Sequence, residues 1–133
     1  MKKVMMTAAA AAVLATSVQA KPNLRDVSAI DDGLLAVALA NEIRNKCANI
    51  SPRMLKALRF VNGLRDKARN MGYSDTEIDA YRKSDVEKER LKAKGYAYLE
   101  ANGVINGQPE TYCALGRAEI EKSSQIGALL KVN

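Results

Sequence analysis

The chain has 133 residues, 27% of them charged, with a formal net charge of +6, two cysteines, no tryptophan and no histidine. Without imidazole it lacks the commonest metal ligand and the commonest general base near neutral pH, and two cysteines alone do not make a zinc set. No metal site, cofactor or catalytic residue is therefore expected, and the first reading is non-enzymatic.

Lys2 and Lys3 precede an alanine-rich apolar run from Thr7 to Ala15, and Val18-Gln19-Ala20 offers a small-residue cleavage site. The pattern reads as an export signal over residues 1–20, removed to leave a mature chain from Lys21. The run between Lys3 and Lys21 is too short and too rich in alanine for a stable membrane span, and no other stretch approaches spanning length. A periplasmic or secreted protein with no transmembrane segment is expected. It would carry a net charge of about +4 spread over both signs. Residues 21–133 are expected to form one helical domain whose first part, 21–30, is a loosely held arm.

Asp31 or Asp32 is placed to cap a helix running to about Ala48. At 100° per residue Leu35, Ala36, Leu39, Ala40, Ile43 and Cys47 fall on one side of it. Ser51-Pro52 then restarts the chain, serine suiting an N-cap and proline the first helical position. The predicted helix runs from Pro52 to Met71, with Met54, Ala57, Leu58, Phe60, Val61, Leu64, Ala68 and Met71 on its apolar face. Gly72 follows as the C′ residue. Ser74-Asp75-Thr76-Glu77 is a capping-box pattern, and Ser84-Asp85-Val86-Glu87 repeats it. Helices over 75–83 and 85–101 with a break near Ser84 are preferred to one continuous helix.

Within 85–101, Leu91, Gly95, Tyr98 and Leu99 form one stripe, and Val86, Ala93, Ala97 and Ala101 form another nearly opposite. The simpler reading packs the first stripe and leaves the alanines exposed. The sharper one has protein on both sides. Asn102-Gly103 ends the element and a loop leads to Pro109, which starts a last helix expected to reach about Leu130. Gly116 and Gly127 lie on its apolar side, where they would let another backbone approach. No strand is predicted. The class is all-α, a small bundle of four to five helices.

Cys47 would end the first long helix and Cys113 would lie in the first turn of the last. A disulfide between them is easiest if those helices run antiparallel, and it would close a loop of about 67 residues, worth about 4 kcal/mol in the chain-entropy picture. Redox pairs sit close in sequence, and no histidine is present to activate a thiol, so a structural staple is expected.

Other constellations have plain structural readings. Asp75-x-Glu77-x-Asp79 lacks the glycine and distal glutamate of a calcium loop, and such acids suit helix N-termini. The basic residues of 53–69 and 82–94 can track an anionic polymer, but export and interspersed carboxylates point away from nucleic acid. Arg53, near the Cys47 end, and Arg117, near the Cys113 end beside Glu119, form a candidate anion-binding pair, with solvated helix residues as the plain alternative. Tyr96, among Lys92, Glu89 and Glu100 and off both stripes, is a candidate exposed contact.

Several runs carry a resemblance. They are Cys47-Ala48-Asn49-Ile50-Ser51-Pro52-Arg53, Met71-Gly72-Tyr73-Ser74 with Glu77-Ile78, Tyr112-Cys113-Ala114-Leu115-Gly116-Arg117 with Glu119-Ile120, and Ile126-Gly127. The stretch from Cys47 to Leu130 resembles a domain-of-unknown-function family of small exported bacterial proteins with two cysteines. The resemblance implies a paired-cysteine helical domain and supplies no activity. The architecture is also similar to small two-cysteine helical acid-stress chaperones of the periplasm, a likeness that does not establish function. The expected function is a periplasmic protein-binding or accessory subunit whose partner is another envelope protein. The alternatives are a stress chaperone, or an anionic-ligand binder or enzyme with no recognisable motif.

Overall fold

The structure, a computed structural model, describes residues 11–14 and 20–133. The expected leader over 1–20 lies outside the described residues apart from 11–14 and Ala20. Five helices follow: α1 (Ser28–Lys46), α2 (Met54–Asn70), α3 (Asp75–Lys83), α4 (Asp85–Ala101) and α5 (Pro109–Glu121). Two short strands, β1 (Ile50–Pro52) and β2 (Leu130–Val132), pair antiparallel, with Ser51 opposite Lys131. Single 3₁₀ turns span Leu24–Asp26 and Gly127–Leu129. Apart from the small strand pair the fold is all-α.

Local chemistry sets most of the boundaries. Ser74 and Glu77 form a complete capping box at α3, and Ser84 accepts from the Glu87 amide at the start of α4. The break at Ser84 thus separates two helices, as preferred from the sequence. Helices α2, α4 and α5 all end in the Schellman pattern. The amides of Tyr73, Val104 and Ser124 reach back to the carbonyls of Ala68, Leu99 and Glu119. This needs a left-handed residue just past each helix. Gly72 and Gly103 supply it freely, and Ser123 takes it at φ 52°.

The main core gathers Ala36, Leu39, Ala40 and Ile43 of α1 with Leu99, Tyr112, Leu115, Ile50 and Leu130. Full burial of a side chain such as Ile43 contributes about 1.5–3 kcal/mol. Cys47 bonds Cys113 with a Cα–Cα distance of 5.2 Å, and neither is free. A Cβ on Gly116 would approach Ile43 and Ile50 within 2.8 and 2.4 Å. Later positions of α5 therefore meet earlier positions of α1, the antiparallel arrangement that the staple requires. A second core joins Leu24, Val27 and Ile30 to Leu64, Ala68, Tyr73 and Ile78, and Phe60 touches both.

Four expectations need correction. Residues 21–30 are not a loose arm: Leu24, Val27 and Ile30 are buried, and Tyr73 Oη donates to the Pro22 carbonyl. Helix α1 starts at Ser28, so neither Asp31 nor Asp32 caps it. Ser51-Pro52 is strand, not helix start, because β2 returns to pair with it and the Arg53 amide bonds the Leu129 carbonyl at 2.8 Å. Finally, α5 stops at Glu121. A Cβ on Gly127 would lie 1.9 Å from the Glu119 carbonyl oxygen, so this glycine lets the returning chain press on the end of α5. The close backbone approach expected at Gly127 is made by the tail of the same chain.

Candidate functional site

Helix α2 divides into a covered half and an open half. Leu64 and Ala68 are buried, and Ala57 and Phe60 are partly so. Met54, Leu55 and Leu58 are 66, 72 and 59% exposed, and Val61 is also exposed. The sequence places Met54, Leu58 and Val61 on a buried face. The physical reason for the difference is that the apolar arc of α2 is wider than the part the cores cover: Ala57, Phe60, Leu64 and Ala68 share the arc that packs on the two cores, and Met54, Leu58 and Val61 lie along its edge. Among the described residues Lys56 and Arg59, on the first two turns, form no ion pair. The exposed apolar cluster is the feature of this surface least accounted for by folding, and the two cations lie on the other side of the helix, along a cleft with Phe60 and Leu129.

The buried polar groups have internal duties. Asp31 and Glu119 are 3 and 0% exposed. Asp31 accepts from Arg90, from Lys94 at 2.7 Å and from Tyr81 at 2.8 Å. Burial pushes its pKa up, but the bonds from Arg90, Lys94 and Tyr81 outweigh it and hold the carboxyl well below the usual range. Arg90 also bonds Glu87, which pairs with Arg25 of the N-terminal turn. Glu119 accepts from Tyr98, Ser124 and Lys122. Burial raises its pKa and those bonds lower it further, so it too titrates below the ordinary value. Tyr98 is pushed up to about 12 by burial and by its bond to Glu119. Neither carboxylate lines a cleft described here, and a lowered pKa does not suit a base working near neutrality.

Two of the surface clefts are lined in part by α4. One, of about 540 Å³, lies between the N-terminal turn and α3 and is edged by the Lys21–Glu77 and Arg25–Glu87 pairs. The other, of about 360 Å³, runs between α1 and α4 over Leu39, Leu91, Gly95 and Leu99. Tyr96 stands on its rim, exposed, with the Lys92 ammonium 5.9 Å from its ring centre.

Of the residues proposed from sequence, the disulfide brings Cys47 and Cys113 together. Arg53 Nε donates to the Leu130 carbonyl at 3.1 Å, which ties α2 to the C-terminal strand. Arg117 is exposed on α5 and forms no ion pair among the described residues. Neither arginine lines a cleft described here. On α4, Val86, Ala93, Ala97 and Ala101 are exposed, so the chain itself packs that helix on one side only. Sequence reasoning missed Arg90 and Lys94 as partners of Asp31. Their i, i+4 spacing beside Glu87 marks a charged helix face, but nothing local points to an acid some 60 residues away.

Among the described residues no group of three or more acidic or cysteine side chains is placed to hold a metal ion, and no helix is long and apolar enough to cross a membrane. No curated protein and no solved structure matches the chain. Residues 22–131 do match the model of a family of unknown function, DUF5333, which spans both cores, both cysteines and the open half of α2, and the chain belongs to that family.

Proposed function

We propose that this protein is an exported, non-enzymatic accessory subunit that binds another envelope protein through the first two turns of α2. The observation that carries the reading is the cluster Met54, Leu55, Leu58 and Val61, exposed on a helix whose other half is packed. A domain with two filled cores has no folding use for four large apolar side chains in water. Contiguous exposure of this kind marks interaction surfaces. The disulfide suits an oxidising compartment, and the leader pattern in the sequence supplies the route there. Arg53 and Arg117 give little support to the anion-binding alternative, since Arg53 is spent on the Leu130 carbonyl.

The chaperone alternative differs in its clients. An acid-triggered version would need buried groups that change charge in mild acid, but Asp31 and Glu119 stay ionised there. The test is crosslinking in the envelope with a photoreactive residue at position 58, compared with one at exposed Ala97. One stoichiometric protein adduct from position 58 and none from 97 is expected. Many unrelated adducts would favour a chaperone, and no protein adduct at all would sink the docking reading.

A further inference from the structure

The side of α2 turned away from Met54, Leu58 and Val61 borders a cleft of about 450 Å³. Lys56, Arg59 and Phe60 line one wall, and Ser123, Gln125 and Leu129 of the segment after α5 line the other. At 100° per residue the three α2 residues share an arc about 100° wide, centred about 180° from Met54. Both walls belong to acid-free stretches of the chain. Residues 43–65 hold six cations and no acidic side chain, and residues 122–133 hold two and none. The β1–β2 pair and the bond from the Arg53 amide to the Leu129 carbonyl bring these stretches together.

The donors along this cleft are unspent. No acidic side chain lines it. Among the described residues the side chains of Lys56, Arg59, Ser123 and Gln125 make no hydrogen bond and no ion pair. Ser124 is engaged instead: its hydroxyl bonds the Glu119 carboxylate and accepts from the Gly127 amide. Glu119 itself is fully buried and holds Lys122. Ser123 adds a second observation. It takes, after α5, the left-handed conformation that Gly72 and Gly103 take after α2 and α4. A side chain is sterically disfavoured there, and this one puts a hydroxyl in the cleft lining.

We propose that this cleft binds a phosphate monoester with a small apolar body. Such an ester carries nearly two negative charges near neutrality, which matches two free cations and no acid. The Arg59 fork and the Lys56 ammonium suit its terminal oxygens, and the Ser123 hydroxyl and Gln125 amide are further donors. A carboxylate would leave one cation uncompensated. Phe60, Ala128 and Leu129 supply the apolar wall for the body, and the volume suits a small ligand. The site lies across α2 from position 58, so binding here and adducts there are separate results.

Amide chemical-shift titration of the oxidised, leader-free protein with phenyl phosphate at low salt tests this. Saturable shifts confined to residues 56–60 and 123–129 are expected. Affinity should be at least about fivefold above that for inorganic phosphate, because the ring leaves water, and likewise above benzoate, which has one charge fewer. Lys56→Ala/Arg59→Ala should weaken binding at least about tenfold. Lys67→Ala/Lys83→Ala removes the same charge elsewhere and should weaken it less than about twofold. Ser123→Gly should weaken binding about fivefold while raising the melting temperature, a pairing that a purely structural serine would not give. Circular dichroism checks that each variant is folded. Phosphatidic acid vesicles separate the sources of the ester. Competition with phenyl phosphate marks a lipid headgroup and its absence marks a free ester, and the site stands in both cases. No saturable shift, shifts spread over exposed cations at large, equal affinity for phenyl phosphate and either inorganic phosphate or benzoate, equal losses in the two double variants, or undiminished binding in Ser123→Gly would each overturn the proposal.

Discussion

The two ends of α1 are secured by opposite means. At its C-terminal end Cys47 is bonded to Cys113, Ile43 and Ile50 press on Gly116, and β1 pairs with β2. That closure is covalent, apolar and tight. Near its N-terminal end Asp31 holds Arg90 and Lys94 of α4 and Tyr81 of α3, while Glu87 holds Arg25. That closure is ionic and rests on side chains that are themselves part-exposed. Sixteen residues of helix keep the ends about 24 Å apart. One end therefore answers to redox conditions and the other to pH, and neither perturbation should propagate far into the other.

The largest way to break this comparison is at the cysteines. Cys47→Ser and Cys113→Ser should each cost about 4 kcal/mol, within a range of about 2–5, by removing the same crosslink. The double variant should be little worse than either single one, because the two positions act as a unit. Urea unfolding of the three variants checks this, together with non-reducing peptide mapping of the exported protein. Additive losses in the double variant would mean that each cysteine acts by packing and not through the bond.

The legibility of the two ends differs for the same reason. The covalent end could be read because cysteine has few uses in an oxidising compartment, so residues 66 positions apart could be paired without knowing the path between them. The capping box at Ser74, the N-cap at Ser84, and Gly72 as a helix stop were also readable, since each signal lies within five residues of its effect, whereas the second half of a box at Ser84 is not made because Glu87 turns to Arg25 and Arg90. The ionic end could not be read. Asp31 looks like a cap because aspartates usually are, and its real partners lie on a helix whose placement depends on the whole fold. The β1–β2 pair failed similarly: Ser51-Pro52 carries a good helix-start signal, and only the returning tail overrides it. The arm was a different failure. Leu24, Val27 and Ile30 repeat every third residue, an apolar spacing that is present in the sequence. The open half of α2 is legible only by subtraction, since periodicity shows an apolar face and not which part of it is covered.

The next test acts on the ionic end. Asp31→Asn leaves Arg90 and Lys94 without their shared carboxylate and should cost about 2–3 kcal/mol at neutral pH. The folded pKa of Asp31 lies below its unfolded value near 4. Its contribution is therefore complete above that value and is lost as pH falls towards the folded one. Wild-type stability should decline below about pH 4, and the variant should show a shallower decline over the same range. An unchanged acid limb would show that Asp31 does not supply it. Combined with Cys47→Ser in a stabilising osmolyte, the two losses should add to within about 0.5 kcal/mol, given their separation. A coupling clearly above that would mean that α1 transmits strain between its ends.

The smallest effect calibrates both. Gly63 lies in the middle of α2, exposed, with nothing within 4 Å of where a Cβ would sit. By helical periodicity it points about 180° away from Met54, and so away from the proposed docking sector. A helix-interior glycine with free space beside it costs backbone entropy and gains no packing. Gly63→Ala should accordingly stabilise the protein by about 0.5–1 kcal/mol, equally in the wild type, the disulfide variants and Asp31→Asn. Adducts at position 58 should be unaffected. Thermal and urea unfolding measure the first part, and envelope crosslinking the second. If the alanine variant is stabilised as expected and yet loses its adduct, the docking surface must wrap onto the opposite side of α2.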